Sequence, residues 1–474
     1  MNKFFSDALL PKILGIVMIL TLSGIALRPH RITRGFELAR QAQKINFPDA
    51  ARQLAALAVQ LPYRADLWQQ AAFAALAQQD FPAAIKYFTQ AETLSPAGML
   101  ALGDAYQQNG ELAAAIQTWE EFNNQFGPSE ENLARLANAY RLQDNYASAI
   151  TALKELSTFN LQPSNLYQLG LLLAAHNPAA APPYLRQAAE LDPGIKALTQ
   201  PLAFAIQRAL QRDEPAYAFL NAGQELANQN RWPLAAHAFE RAVELRPDYA
   251  EAWAYLGEAR QQLDPASGRD ALENALELDP QSFAANTFMA LYWQRQGNIE
   301  ASKTYIQHAA ALDPNNIPIQ SYLAELVAQA GDLGAAKDFY QHIIADSPNR
   351  SLAYQAMAEF CVRYNLEIAE TGLPAARQAV LLAPKDAGAL DAMGQILLRL
   401  GDQLNAERFF LRSLRSDADY APAHLHLGWL YILKDEGVQA RDHLAKVLEL
   451  APNTATADHA QRLLEDYLTR KSGK

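Results

Sequence analysis

Residues 65–96 read ADLWQQAAFAALAQQDFPAAIKYFTQAETLSP, and this stretch decides the fold. Trp68, Ala71, Ala72 and Ala75 recur at three- and four-residue steps, which places them on one face of a helix. Small residues on that face let a second helix approach closely. The second helix is expected to begin near Pro82, a residue suited to a first helical turn, and it sets Ala84, Phe88 and Ala91 on one stripe. Phe88 fills the gap that the alanines leave. Pro96 is expected to end the pair, because it cannot continue the helix. One such hairpin buries too little apolar surface to fold alone, so it needs neighbours that share a continuous core.

The chain supplies those neighbours. Residues 249–260 carry Trp253, Leu256 and Gly257, and residues 422–452 carry Leu427, Gly428, Tyr431, Ala440, Leu444 and Pro452 at matching places. Prolines at 62, 96, 193, 247, 280, 314, 348, 384 and 452 punctuate the sequence; the steps 62–96, 280–314 and 314–348 are each 34 residues, and 384–452 is twice 34. This pattern resembles the tetratricopeptide repeat (TPR), with Trp-x2-Leu-Gly-x2-Tyr on a first helix and Ala-x3-Phe-x2-Ala on a second. The resemblance covers roughly residues 31–470. It implies an all-α, right-handed TPR-type superhelical solenoid of about twelve helix pairs.

Five segments follow from the register. Residues 1–30 form a membrane anchor or signal segment, and residues 31–193 an N-terminal array of five pairs. The fifth pair is a residue short in its internal turn. Residues 194–215 break the rhythm but still read as a spacer helix, with Leu198, Leu202, Ile206 and Leu210 at steps of four and Pro201 inside. Residues 216–452 form a C-terminal array, whose tenth pair carries a two-residue insertion near residues 370–373. Residues 453–474 form a capping helix and tail, polar on its outer side.

Ile13–Leu27 is uncharged and apolar, bounded by Lys12 and Arg28. Fifteen helical residues span roughly 22 Å, short of the hydrocarbon core of about 30 Å. The segment suits a thin single-pass anchor with Lys12 and Arg28 snorkelling outward. It also suits the apolar part of a signal peptide, with residues 24–26 as a small-residue cleavage site and an exported product. Arg28, Arg31 and Arg34 follow directly, which favours the retained anchor. The positive charges on the two sides nearly balance, so the side on which the repeats lie stays open.

Composition narrows the function. A net charge of −11 with no Lys/Arg block in the body argues against a nucleic-acid surface, which needs clustered cations. Cys361 is the single cysteine; it falls at a packing position and reads as a buried apolar thiol. His424 and His426 are two residues apart, so on a helix they point about 200° apart and make a poor metal pair. No phosphate-cradling glycine cluster and no catalytic constellation stand out, so no enzyme activity, cofactor or metal is expected. Trp68, Tyr106, Trp119, Tyr140, Trp253 and Tyr431 read as core aromatics.

In TPR proteins the first helices line a concave face that holds an extended or helical peptide. Transferred here, that face implies Asp66, Gln69, Phe73, Asp104, Gln107, Glu131, Asn138 and Arg141 in the first array. In the second it implies Glu251, Glu258, Gln294, Glu325, Glu359, Gln395, Trp429 and Ile432, with Asp391 as a further acid. Acids dominate, and the lysines with which the co-chaperone branch clamps a terminal carboxylate are missing. The expected partner is therefore a protein or peptide segment that is basic or neutral. Three functional readings result: a membrane-tethered scaffold first, then a regulatory or substrate-selecting subunit of a membrane enzyme whose catalytic chain is separate, and last a self-assembling structural protein.

Overall fold

The computed structural model describes residues 49–61, 64–452 and 454–472. The leader, the first helix of the opening pair and Pro62 lie outside the described residues. Among the described residues there is no strand, and no helix is long and apolar enough to cross a membrane. The chain divides into two compact units, residues 1–241 and 242–474.

In the first unit, α1 (Ala50–Gln60) is the second helix of the opening pair. Four hairpins follow: α2 (Ala65–Ala77) with α3 (Phe81–Gln90), and α4 (Pro96–Gln108) with α5 (Leu112–Phe126). Next come α6 (Glu130–Leu142) with α7 (Tyr146–Phe159), and α8 (Pro163–His176) with α9 (Ala181–Leu191). The single helix α10 (Lys196–Leu210) precedes α11 (Pro215–Asn228) and α12 (Trp232–Leu245), in which the division between units falls. Helix α10 packs between α9 and α11, while α8 and α11 also touch directly.

The second unit repeats the hairpin. It contains α13 (Ala250–Leu263) with α14 (Arg269–Leu278), α15 (Phe283–Arg295) with α16 (Ile299–Leu312), and α17 (Ile317–Gln329) with α18 (Leu333–Asp346). Then come α19 (Ser351–Tyr364) with α20 (Leu373–Leu382), α21 (Ala387–Arg399) with α22 (Gln403–Ser416), and α23 (Ala421–Leu433) with α24 (Gly437–Leu450). Helix α25 (Ala455–Ser472) closes the stack, burying Ala457, Ala460 and Tyr467. Within each unit a second helix packs on the next first helix, as α3 does on α4 and α22 on α23.

Most of the hairpins are held by a small-into-large contact. A Cβ on Gly103 of α4 would sit 2.2 Å from the Trp119 indole nitrogen of α5, and one on Gly394 of α21 would sit 2.5 Å from the Phe410 ring of α22. Ala72 and Phe88 share one buried cluster, as do Ala290 and Ile306, and Ala324 and Tyr340. These partners are sixteen residues apart, the length of one helix and one tight turn; Gly170 with Leu185 and Gly257 with Leu272 make the same contact at fifteen. A 3₁₀ turn, Pro178–Ala180, takes up the shortened fifth pair, and a π-helical turn, Ile368–Gly372, absorbs the insertion in the tenth.

The turns are equally regular. Asp80, Asn145, Asn298, Asp332 and Asp402 each accept the amide three residues on, capping a second helix. The residue before each cap is left-handed: Gln79, Asp144, Gly297, Gly331 and Gly401. Glycine adopts that conformation at no steric cost, whereas Gln79 holds it at the expense of backbone strain.

Three expectations are corrected. Pro96 does not end a pair; α3 stops at Gln90, and Pro96 is the first residue of α4, where its missing amide hydrogen costs nothing. The other described prolines at 247, 280, 314, 348, 384 and 452 lie in the turns after second helices. In α10 Leu202 and Ile206 are buried, but Leu198 and Leu210 are exposed. Steps of four overshoot a helical turn by about 40° each, so the ends of that stripe roll out of the contact. Among the aromatics Trp119 and Tyr431 are buried, whereas Trp68, Tyr106, Tyr140 and Trp253 are half-buried. Trp253 keeps its indole N–H on the Pro247 carbonyl.

Because Trp119 is fully buried and cannot recede, Gly103→Ala overpacks its hairpin. The expected cost is about 1–3 kcal/mol, read as a lower urea midpoint; an unchanged midpoint would show that the indole has room to shift.

Candidate binding face

The face carried by the first helices has a different chemistry in each unit. In the first, Asp66 is gripped by its near neighbour Arg64 through two hydrogen bonds of 2.7 Å, which hold its carboxyl below the usual range. Gln69 and Phe73 are half-buried and already have partners within the chain. The Gln69 carbonyl oxygen accepts the Ser95 amide at 2.8 Å, and Phe73 packs edge-on against Phe88. Asp104 and Glu131 are brought together by Arg135, at 2.6 and 3.0 Å. Gln107 is half-buried, and exposed Asn138 accepts from Arg141 at 2.8 Å.

In the second unit Glu251 is exposed, while Glu258 is only 7% exposed and takes two bonds from Arg295, at 2.9 and 3.0 Å. Gln261 completes that knot by accepting from Arg295 at 2.6 Å. Gln294 is half-buried. Glu325 accepts the Tyr364 hydroxyl at 2.7 Å and faces Arg363 at 3.4 Å. The acids of this face are therefore not a bare negative strip. Much of their charge is met by arginines of the following repeat, and Arg135, Arg295 and Arg363 are the groups that reading one repeat at a time misses. Their signal was available: Glu258 to Arg295 and Glu325 to Arg363 are separations of 37 and 38 residues, one repeat plus one helical turn.

One cluster departs from this pattern. Asp391 of α21, 2% exposed, accepts from Gln395 at 2.9 Å and lies 2.9 Å from the His426 ring nitrogen of α23. Burial alone would push His426 down; the Asp391 and Glu359 carboxylates outweigh it and hold the imidazole above its ordinary value. Glu359 of α19 is half-buried and receives one side-chain hydrogen bond, from Gln355 at 2.8 Å. Burial and the nearby Asp391 charge push its carboxyl up. Burial likewise raises the Tyr420 hydroxyl, and the same two carboxylates add to the shift. At the end of the row Arg399 lies over the Trp429 ring at 5.7 Å, and Ile432 is half-buried.

Cys361 is buried, and burial pushes its thiol up to about 11; such a thiol is not a nucleophile at neutral pH. His424 meets His443 at 2.8 Å rather than His426. No group of three or more metal-ligating side chains occurs among the described residues.

Family models for the tetratricopeptide repeat match residues 70–121 and 220–282, and a second such model matches residues 294–360. The chain carries tetratricopeptide repeats. No curated protein matches it. Among solved structures, yeast Tom70 is 15% identical over 94% of this chain and 97% of its own, with a TM-score of 0.45. The APC/C hetero-tetramer Cut9–Hcn1 is 17% identical over 91% and 94%, at 0.36. A tetratricopeptide repeat protein from Parabacteroides merdae is 12% identical over 54% of this chain and 99% of its own, at 0.43.

Glu359 carries a burial penalty only when ionised. Its folded-state carboxyl titrates above the unfolded one, so its stabilising contribution is complete below about pH 4.3 and is lost as pH rises through the folded value. Glu359→Gln is expected to raise the thermal midpoint at pH 7.5, with the gain vanishing towards pH 4. A gain that is equal at both pH values would contradict the assignment.

Proposed function

We propose that this protein is a non-enzymatic scaffold that holds a partner polypeptide against its first-helix faces, and that the second unit selects a basic or neutral segment. The supporting observation is Glu359: a half-buried carboxylate beside the buried Asp391, with an amide but no cation bonded to it. A lysine or arginine brought to that point by a partner would relieve the penalty on the ionised carboxyl. The paired acids Glu258 and Glu325 sit on the same row of first helices and give the face its register rather than its affinity. No group of this face is arranged as nucleophile and base, which supports a binding role over a catalytic one.

The same reading places the repeats at a membrane, tethered through residues 13–27. It rests on the apolar run and the three arginines that follow it. A retained anchor keeps the full chain in the membrane pellet through carbonate extraction, and the mature protein keeps residue 1–30 peptides by mass spectrometry. A soluble product beginning near residue 27 would instead establish cleavage.

For the groove, a fluorescent Lys-Gly-Lys-Gly decapeptide is expected to bind the full chain, and Glu359→Gln to weaken it about tenfold, the scale of one charged hydrogen bond. Equal binding of a Glu-Gly decapeptide, or no effect of Glu359→Gln, would overturn the proposal.

A further inference from the structure

Arg141 of the first-helix face meets residues that the repeat pattern does not account for where the turn between α6 and α7 faces the turn between α11 and α12 across helix α8. They enclose a cleft of about 590 Å³, within the size range of sites that bury most of a small ligand. Arg141 and Arg231, ninety residues apart in sequence, both line it. Arg141 bonds only the Asn138 amide oxygen, and among the described residues neither arginine forms an ion pair. The one carboxylate on the rim, Asp144, accepts the Tyr146 hydroxyl at 2.8 Å.

The walls are built. Tyr146 is 5% exposed and packs edge-on against the His237 ring, on which His176 stacks. The Tyr167 hydroxyl donates to Gln229, and the Gln229 amide in turn holds the Leu198 carbonyl of α10. The extra helix thus ties the two turns in place through Gln229. Leu171, Leu172 and Leu234 give the cleft an apolar floor.

Two arginines that form no ion pair among the described residues outnumber the single rim carboxylate, Asp144, over an apolar floor in a chain of net charge −11, a local reversal of sign. We infer that this cleft binds an acidic peptide segment, with carboxylates on Arg141 and Arg231 and an apolar side chain between them. Planar guanidinium groups suit carboxylates by bidentate pairing. The site is separate from the Glu359 face and opposite to it in preference.

The test uses the full chain and a fluorescein-labelled Glu-Leu-Glu-Leu-Glu peptide, with the glutamine version as control. The expected result is measurable binding of the glutamate peptide, loss of at least about tenfold on Arg141→Gln or Arg231→Gln, and weakening as salt rises. Both arginines are exposed, so the fold should survive, and an unchanged circular dichroism spectrum checks it. Glu359→Gln should leave this binding unaltered, which separates this inference from the one above. Equal binding of the glutamine peptide, indifference to both arginine changes, tighter binding of glutarate alone, or tighter binding of an oligouridylate would each overturn the inference.

Discussion

A glycine or alanine on the first helix of most pairs lets a large side chain of the second helix reach the axis of the first. Everything else in the structure depends on this contact. With Gly103 under Trp119 and Gly394 under Phe410, the two helices come so close that a hairpin has no separate interior, only a ridge to bury against the next hairpin. That is why stability is shared along the stack rather than lodged in one core. It also explains the tolerance for local irregularity. A 3₁₀ turn or a π-helical turn alters the path between the partners but keeps them in contact.

The contact uses up one side of each first helix and leaves the other to chemistry. There the spacing of the stack puts a carboxylate of one repeat within reach of an arginine one repeat and a helical turn later. Exposed pairs of this kind add little stability. The Glu258–Arg295 pair is different, because Glu258 is nearly buried and Gln261 fixes the guanidinium as well. Removing one partner of such a pair leaves the other charge uncompensated. Glu359 on one unit and Arg141 and Arg231 on the other stand outside this pairing: the first takes a bond from Gln355 and Arg141 gives one to Asn138, but among the described residues none of the three forms an ion pair.

The helices, their order and the hairpin contact were legible because they depend on residues sixteen apart and on a period of about 34, both visible in a single sequence. Proline position was less legible. Pro96 suits a helix start as well as a helix stop, and only the Ser95 cap, which accepts the Gly98 amide, decides between them. The charge distribution of the first helices was not legible, since arginines there bind acids of the preceding repeat. Arg141 was legible as a candidate, but its cleft with Arg231 was not: that arises where α10 interrupts the repeat and two distant turns come to face one another across α8. Leu198 and Leu210 mislead for a related reason, because a four-residue step approximates a helical stripe only over short distances.

The central claim is that the small-into-large contact is a direct steric lock, and a double-mutant cycle at Gly394 and Phe410 tests it most directly. If the lock is real, Phe410→Leu makes room for the added methyl of Gly394→Ala, and the two changes together cost at least about 1 kcal/mol less than their sum. Additivity to within about 0.3–0.5 kcal/mol, the behaviour of sites that do not touch, would contradict the claim.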